Sequence, residues 1–227
     1  YVAIGAHSDN DPVASRARDH DSVRTLNASR RKVAPRLPAP GSRPSRPDSI
    51  YNGADDDGSG TVALLEIAEA FATMRERPRR SLLFVWHTAE EQGLLGADYF
   101  VGNPTVPLDS IVAQLNMDMI GRGGADDIEG GGPRYLQLVG SRRLSRELGD
   151  LIERINRERG HGFAFDYGHD ADGHPERIYC RSDHAAYARH GIPVTFFHTG
   201  LHLDYHQVTD EPQYIDYTKL FNVRSLV

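Results

Sequence analysis

Gly53-Ala54-Asp55-Asp56-Asp57-Gly58-Ser59-Gly60 sets three carboxylates in a row between glycines, and its reading decides the fold. No apolar core needs such a cluster, so a cation is the natural partner. From Asp55 the chain runs Asp55-x-Asp57-x-Ser59-Gly60, then five residues, then Glu66. That is close to the calcium loop of a helix–loop–helix hand, with Ser at a place usually held by Asp or Asn. A calcium hand demands an entering helix, but Pro47–Ala54 is extended and turn-forming. No second loop of this kind follows, and an all-oxygen calcium site leaves the chain's patterned histidines unused. The other reading places the triplet just before a helix of an α/β fold, where amides and the helix dipole favour negative charge.

The flanking sequence supports the second reading. Thr61–Glu76 carries a helical stripe (Val62, Leu65, Ile67, Ala70, Phe71, Met74) that stops at Pro78. Ser81–Trp86 is a continuous apolar run, as in a strand buried on both faces. Tyr1–Ala6, Ile111–Met117, Arg134–Val139 and Ile192–Phe197 read as further strands. Leu94–Val101, Arg143–Arg159 and Asp183–His190 read as helices. Strands alternating with helices predict a layered α/β domain with a largely parallel sheet. Between the first strand and the triplet, residues 11–47 turn to Arg, Pro, Ser and Ala, with nine of the chain's 26 basic residues. Prolines break regular structure there. The stretch reads as a long surface insertion with a short helix near Asp21–Lys32, either a solvated loop or a flap over a substrate site.

With 227 residues, 39% hydrophobic and 26% charged, the chain fits a soluble globular protein of one good-sized domain. A net charge of −6 gives no basic footprint for nucleic acid, and no apolar run reaches the length of a membrane span. The single cysteine, Cys180, excludes an internal disulfide and a cysteine-rich zinc module. The chain opens inside an apolar run and closes inside a helix-like pattern, so both ends read as cut from a longer protein.

In open α/β sheets, sites form where strands end. After the first strand comes His7-Ser8-Asp9, after Ser81–Trp86 comes His87 with Glu90-Glu91, after Ile111–Met117 comes Asp118, and after the last strand come His198, His202, Tyr205 and His206. Imidazole plus carboxylate without thiolate is a zinc ligand set. One ion cannot use so many carboxylates. Two divalent ions would be balanced by three carboxylates and one hydroxide, with an imidazole for each metal. His7 and His206 supply the imidazoles and an Asp of the triplet the bridge. Asp118 and one of the Glu90–Glu91 pair supply the remaining carboxylates, and the other glutamate is free to act as general base.

His7-x-Asp9, Gly53–Gly60, Glu90-Glu91-x-Gly93-Leu94-Leu95-Gly96, Asn116-Met117-Asp118, Ser182-Asp183-His184 and Tyr205-His206 with Asp210 together resemble the co-catalytic dizinc peptidases of clan MH, family 28. These are aminopeptidases, with glutamate carboxypeptidases and glutaminyl cyclases as relatives. The resemblance implies a three-layer α/β/α fold with a mostly parallel mixed central sheet, of the zinc-dependent exopeptidase type. It implies residues 1–227 as one catalytic domain, two zinc ions per chain, a peptide or aminoacyl substrate, and export to the periplasm or medium. His7 and Asp118 would hold one zinc and Glu91 and His206 the other. Asp56 would bridge them, followed by a cis peptide. Glu90 would be the general base acting on a metal-bridging water, and Asp9 would orient the His7 ring. Tyr205, Asp183 and His184 are candidates for contact with substrate.

The expected activity is that of an aminopeptidase. A glutamate-type carboxypeptidase would share the whole metal set. A glutaminyl cyclase uses one zinc, against which the complete His7–Asp118 pair argues, and an inactive binding module would be expected to have lost ligands. Ser182-Asp183-His184 is no serine-hydrolase relay, because three adjacent residues cannot adopt that geometry. His198 and His202 are expected to be loop or supporting groups.

Overall fold

The computed structural model describes residues 1–30 and 44–227. In chain order the elements are β1 (Val2–His7), β2 (Arg18–Asp19), α1 (His20–Ser29), β3 (Pro47–Asp48), α2 (Gly58–Thr73), β4 (Leu82–His87), α3 (Leu95–Gly102), β5 (Ala113–Met117), β6 (Tyr135–Val139), α4 (Arg146–Glu158), β7 (Ala164–Asp166), α5 (His184–Arg189), β8 (Val194–His198) and α6 (Tyr217–Leu226). Six strands make one sheet in the order β4-β1-β5-β8-β6-β7. All neighbours run parallel except β6 and β8. β2 and β3 form a separate two-residue antiparallel ribbon.

Alternation along the strands feeds two cores. Ile4 and Ala6 of β1 face a cluster with Leu64, Met117, Leu138, Ile152 and Val223, beneath α2, α4 and α6. Ala3 faces the other way, into a cluster with Ala97, Tyr187 and Val194 beneath α3 and α5. The result is three layers, helix–sheet–helix, with a mostly parallel mixed sheet.

The acidic triplet stands where the alternative to calcium put it. No helix leads directly into it, since β3 and a turn intervene after α1, and Asp57 caps α2 by accepting from Gly60 N at 2.9 Å. The helix start also presses close to β5. A Cβ at Gly60 would lie 2.5 Å from Met117 O, so only glycine fits. Ser145 caps α4 by accepting from Leu148 N at 3.2 Å.

Three expectations need correction. Leu82–Trp86 is only half-buried, because β4 is the sheet edge with β1 as its single neighbour. The helix of the insertion spans His20–Ser29, one residue earlier at its start, because Asp19 supplies the N-cap. Lys32, the expected end, lies outside the described residues. Nor is that part of the insertion a solvated loop: His20, Asn27 and Ala28 are buried. The short strand β7 carries no alternation long enough to be seen in sequence. Among the described residues no helix is long and apolar enough to cross a membrane.

Candidate metal centre

The carboxyl ends of β1, β4, β5 and β8 lie along one edge of the sheet and deliver His7, Glu90 and Glu91, Asp118 and His198 there. Asp56 rises from the turn before α2, followed by a cis peptide to Asp57. Its two oxygens divide between two rings. Oδ1 is 3.1 Å from His7 Nε2, and Oδ2 is 3.2 Å from His206 Nε2. Glu91 Oε2 is 3.0 Å from His206 Nε2, and Asp118 Oδ1 is 3.8 Å from His7 Nε2. Two ligands about 2.0–2.1 Å from one tetrahedral zinc stand roughly 3.3 Å apart, so each half of the cluster is spaced to share an ion. Glu91 Oε1 is buried with no hydrogen-bond partner among the described residues, as a ligand atom would be. The donor set, imidazole nitrogen and carboxylate oxygen without sulfur, fits zinc.

The other two acids of the triplet are committed elsewhere. Asp57 accepts from His7 N (3.0 Å) through Oδ2, and from Gly60 N (2.9 Å) and Met119 N (3.2 Å) through Oδ1. It stands close enough to His7 and Asp118 to belong to a ligand cluster, but its lone pairs serve backbone amides. Asp55 Oδ1 accepts from Gly121 N at 2.6 Å, and its Oδ2 lies 3.2 Å from His202 Nε2. Asp210 accepts from the amides of both Asp55 and Asp56, holding the turn from the opposite side. His202 therefore supports the triplet. His198 Nδ1 meets the Asp118 carbonyl at 3.0 Å.

Each imidazole has a backing carboxylate. His7 Nδ1 lies 3.2 Å from Asp9 O and 3.6 Å from Asp9 Oδ1. His206 Nδ1 lies 3.6 Å from Asp11 Oδ2. Asp9 also accepts from the amides of Glu90 (3.0 Å) and Glu91 (3.3 Å), tying the glutamate pair to the His7 loop. Asp11 escaped the sequence reading because it opens the Arg/Pro-rich stretch. The alternation Asp9-Asn10-Asp11 was the available signal.

Burial and charge are in tension throughout. Burial, helped by Asp118, pushes the Glu90 carboxyl up to about 9, and burial likewise takes Asp118 up to about 7. His206 is raised to about 10 by its contacts with Asp56 and Glu91. Burial alone would lower His7, but Asp56 and Asp9 raise it well above the usual histidine value. Burial opposes Asp56's ionisation, yet the two imidazoles hold its pKa far down. Carboxylates crowded until they prefer protons, as Glu90 and Asp118 are, would be ionised by a bound cation.

A cavity opens beside this cluster. Its floor is Asp56, Glu90 and Asp118, and its walls include Met119, Ile178, Phe196 and Leu201, with Arg181 and Tyr205 at one side. Tyr205 stacks on His206 with ring centroids 3.8 Å apart, and its hydroxyl meets Arg181 Nη2 at 3.2 Å. Asp183 and His184 are fully buried and do not line this cavity. His184 stacks under Phe196, one of its walls, and Ser182 is bonded to Asn116 at 2.8 Å.

The model of Peptidase family M28 matches residues 1–227. Leupeptin-inactivating enzyme 1 of Streptomyces exfoliatus is 33% identical over 150 residues, covering 65% of this chain and 30% of that protein. Leucine aminopeptidase 1 of Sclerotinia sclerotiorum is 30% identical over 148 residues, covering 63% of this chain and 36% of that protein. The chain thus matches about a third of the length of these relatives. Among solved structures, a zinc aminopeptidase from Bacillus subtilis superposes with TM-score 0.67 at 19% identity, over 99% of this chain and 44% of that one. Glutaminyl cyclase from Porphyromonas gingivalis superposes with TM-score 0.68 at 22% identity, over 99% of this chain and 70% of that one.

Proposed function

Because this chain belongs to peptidase family M28, we propose that residues 1–227 are the catalytic domain of a zinc-dependent aminopeptidase holding two zinc ions. One observation carries the reading: Asp56 presents one oxygen to each of two imidazoles, His7 and His206. In this proposal His7 and Asp118 hold one ion, His206 and Glu91 the other, and Asp56 is shared. Metal held by these residues would supply the positive charge that brings a water's pKa close to neutral and polarises a scissile carbonyl.

The chain's own groups do the remaining work. Glu90 lies at the cavity floor, buried and fixed by its backbone bond to Asp9. With the neighbouring carboxylates neutralised by bound metal, Glu90 would stand ionised, able to accept a proton from the attacking water and deliver it to the departing amine. The Ile178, Phe196 and Leu201 walls take an apolar side chain and exclude water. Tyr205 stands beside His206 and Arg181, placed to orient the substrate carbonyl. His184, stacked under Phe196, acts in this reading by supporting the wall.

Arg181 favours a second reading. A cation at the cavity side fits a substrate carboxylate, as a glutamate-type carboxypeptidase requires. One experiment tests both: metal analysis with a panel of aminoacyl-anilides and peptides ending in glutamate. Two zincs per chain and turnover of leucyl- or phenylalanyl-anilide are expected. Turnover confined to the C-terminal-glutamate peptides would replace the first reading with the second. One zinc per chain would point instead to glutaminyl cyclase chemistry.

A further inference from the structure

Helix α1 belongs to the Arg/Pro-rich insertion, yet one of its faces is spent on the loop that carries His206. His20, Arg24 and Asn27 recur at helical spacing and share that face. Arg24 Nη1 donates to Asp204 Oδ2 at 2.7 Å, and Asn27 Nδ2 donates to Asp204 Oδ1 at 3.2 Å. The Arg24 guanidinium also lies 3.6 Å from the centroid of the Tyr214 ring, and His20 Nε2 stands 2.8 Å from Glu211 Oε2. Asp204 is fully buried and takes further bonds from Arg122 Nη2 (3.1 Å) and Thr209 Oγ1 (2.8 Å). It sits two residues before His206.

His206 needs such support. It follows no strand directly, its φ is +53°, and its side chain is 38% exposed, so packing alone does not fix the ring. Asp210 ties the far side of the loop to the acidic triplet. The α1 face ties the near side.

We propose that α1 is the positioning element of the second metal half-site, with Arg24 its principal positioning residue: by gripping Asp204 it holds His206 where Asp56 and Glu91 can share an ion with it. The inference rests on the dizinc reading above. It turns the insertion from a solvated loop into part of the metal-binding machinery, acting through Asp204 and without touching the metal.

The test uses the full chain and zinc itself. Arg24→Met, Arg24→Lys and Asn27→Ala are compared with the wild type by zinc titration against a chelator, and by amide hydrogen exchange of the metal-free proteins. One zinc is expected to bind each variant as in the wild type. The second should weaken roughly tenfold to a hundredfold in Arg24→Met, as for other partners that orient a ligand. Arg24→Lys should recover part of the loss and Asn27→Ala should lose less. Amides of 199–214 should exchange faster in metal-free Arg24→Met while those of β1 and β5 do not change. If Arg24→Met does not fold, Asn27→Ala carries the test, with the same selective weakening expected. Wild-type affinity at both positions in the folded variants overturns the proposal alone, and so does equal weakening of both. A wild type that binds no zinc overturns the dizinc reading and this proposal with it.

Discussion

His7 and His206 aim the same atom, Nε2, at the same carboxylate from opposite sides, and the molecule holds them in contrasting ways. His7 is the last residue of a central strand, wholly buried, with its amide bonded to Asp57 and its ring backed by Asp9. His206 sits on a loop, 38% exposed, with its ring backed by Asp11 and its neighbour Asp204 held from a distant helix. One half of the cluster is therefore a product of the sheet and the other a product of side-chain bonds laid over it. Rigidity of the first comes with the core. The second leans on ion pairs and hydrogen bonds, among them the one from Arg24 of α1 to the buried Asp204.

The adjacent glutamates give the largest effect by which to probe this division. Glu90 faces the cavity while Glu91 turns toward His206. Glu90→Gln should leave zinc near two per chain and reduce turnover of an aminoacyl-anilide by about 10²–10⁴-fold, the usual worth of a general base. Glu91→Gln should instead release one zinc. Retained turnover in Glu90→Gln would break the assignment.

Removing each imidazole separates core from overlay. In metal-free protein, His7→Ala should cost about 3 kcal/mol or more in urea unfolding, since it opens a buried hole and leaves Asp56 Oδ1 without its partner. His206→Ala, at a position 38% exposed, should cost less than His7→Ala, although it too takes a partner from Asp56 and Glu91. Equal costs would mean that the contrast in burial has no energetic counterpart.

Acid should weaken the sheet half in a predictable direction. His87, at the end of β4, is lowered to about 4 by burial, with Nε2 3.2 Å from the Tyr187 hydroxyl. Its folded-state pKa lies below the unfolded value, so the unfolded chain takes up the proton first. The stability that neutral His87 confers is present above about pH 6.5 and is lost as pH falls toward 4, by up to roughly 3 kcal/mol. Urea midpoints at pH 7.5, 6 and 4.5 should show a slope that His87→Phe flattens; an unchanged slope would locate the acid sensitivity elsewhere. Smallest is the effect expected at Asp11. Asp11→Asn keeps a hydrogen-bonding group behind His206 but removes charge, and chelator competition should show about a tenfold loss at one zinc position. A comparable loss at both positions would erase the distinction between the halves.

The same division explains what the sequence made legible. Residues at strand ends could be placed because apolar runs mark the strands, and the open edge of an α/β sheet is where ligands gather: His7, Glu90, Glu91 and Asp118 follow from that rule. A helix beginning just after the acidic turn was readable, although the apolar stripe marked it as Thr61–Glu76 and it spans Gly58–Thr73. The docking of α1 was not. Arg24 and Asp204 are 180 positions apart, and a polar contact at that separation leaves no periodic trace. Arginine and proline in the flanking stretch read as solvation, although one helical face of it is buried. The edge position of β4 was hidden for a similar reason, since an apolar run reports hydrophobicity without saying how many neighbours a strand acquires.

The order in which the two half-sites are completed along the chain has a consequence in time. The partners of the first, His7, Asp56 and Asp118, have all been synthesised once residue 118 has been joined. His206 arrives only after α5 and β8, the strand that flanks β5. At about 5–20 residues per second, a growing chain spends on the order of ten seconds with the partners of one half-site made and the other lacking its histidine. Throughout that interval the nascent protein has the residues for one of the two proposed metal positions but not for the other, so the proposed pair is complete only once His206 has been joined.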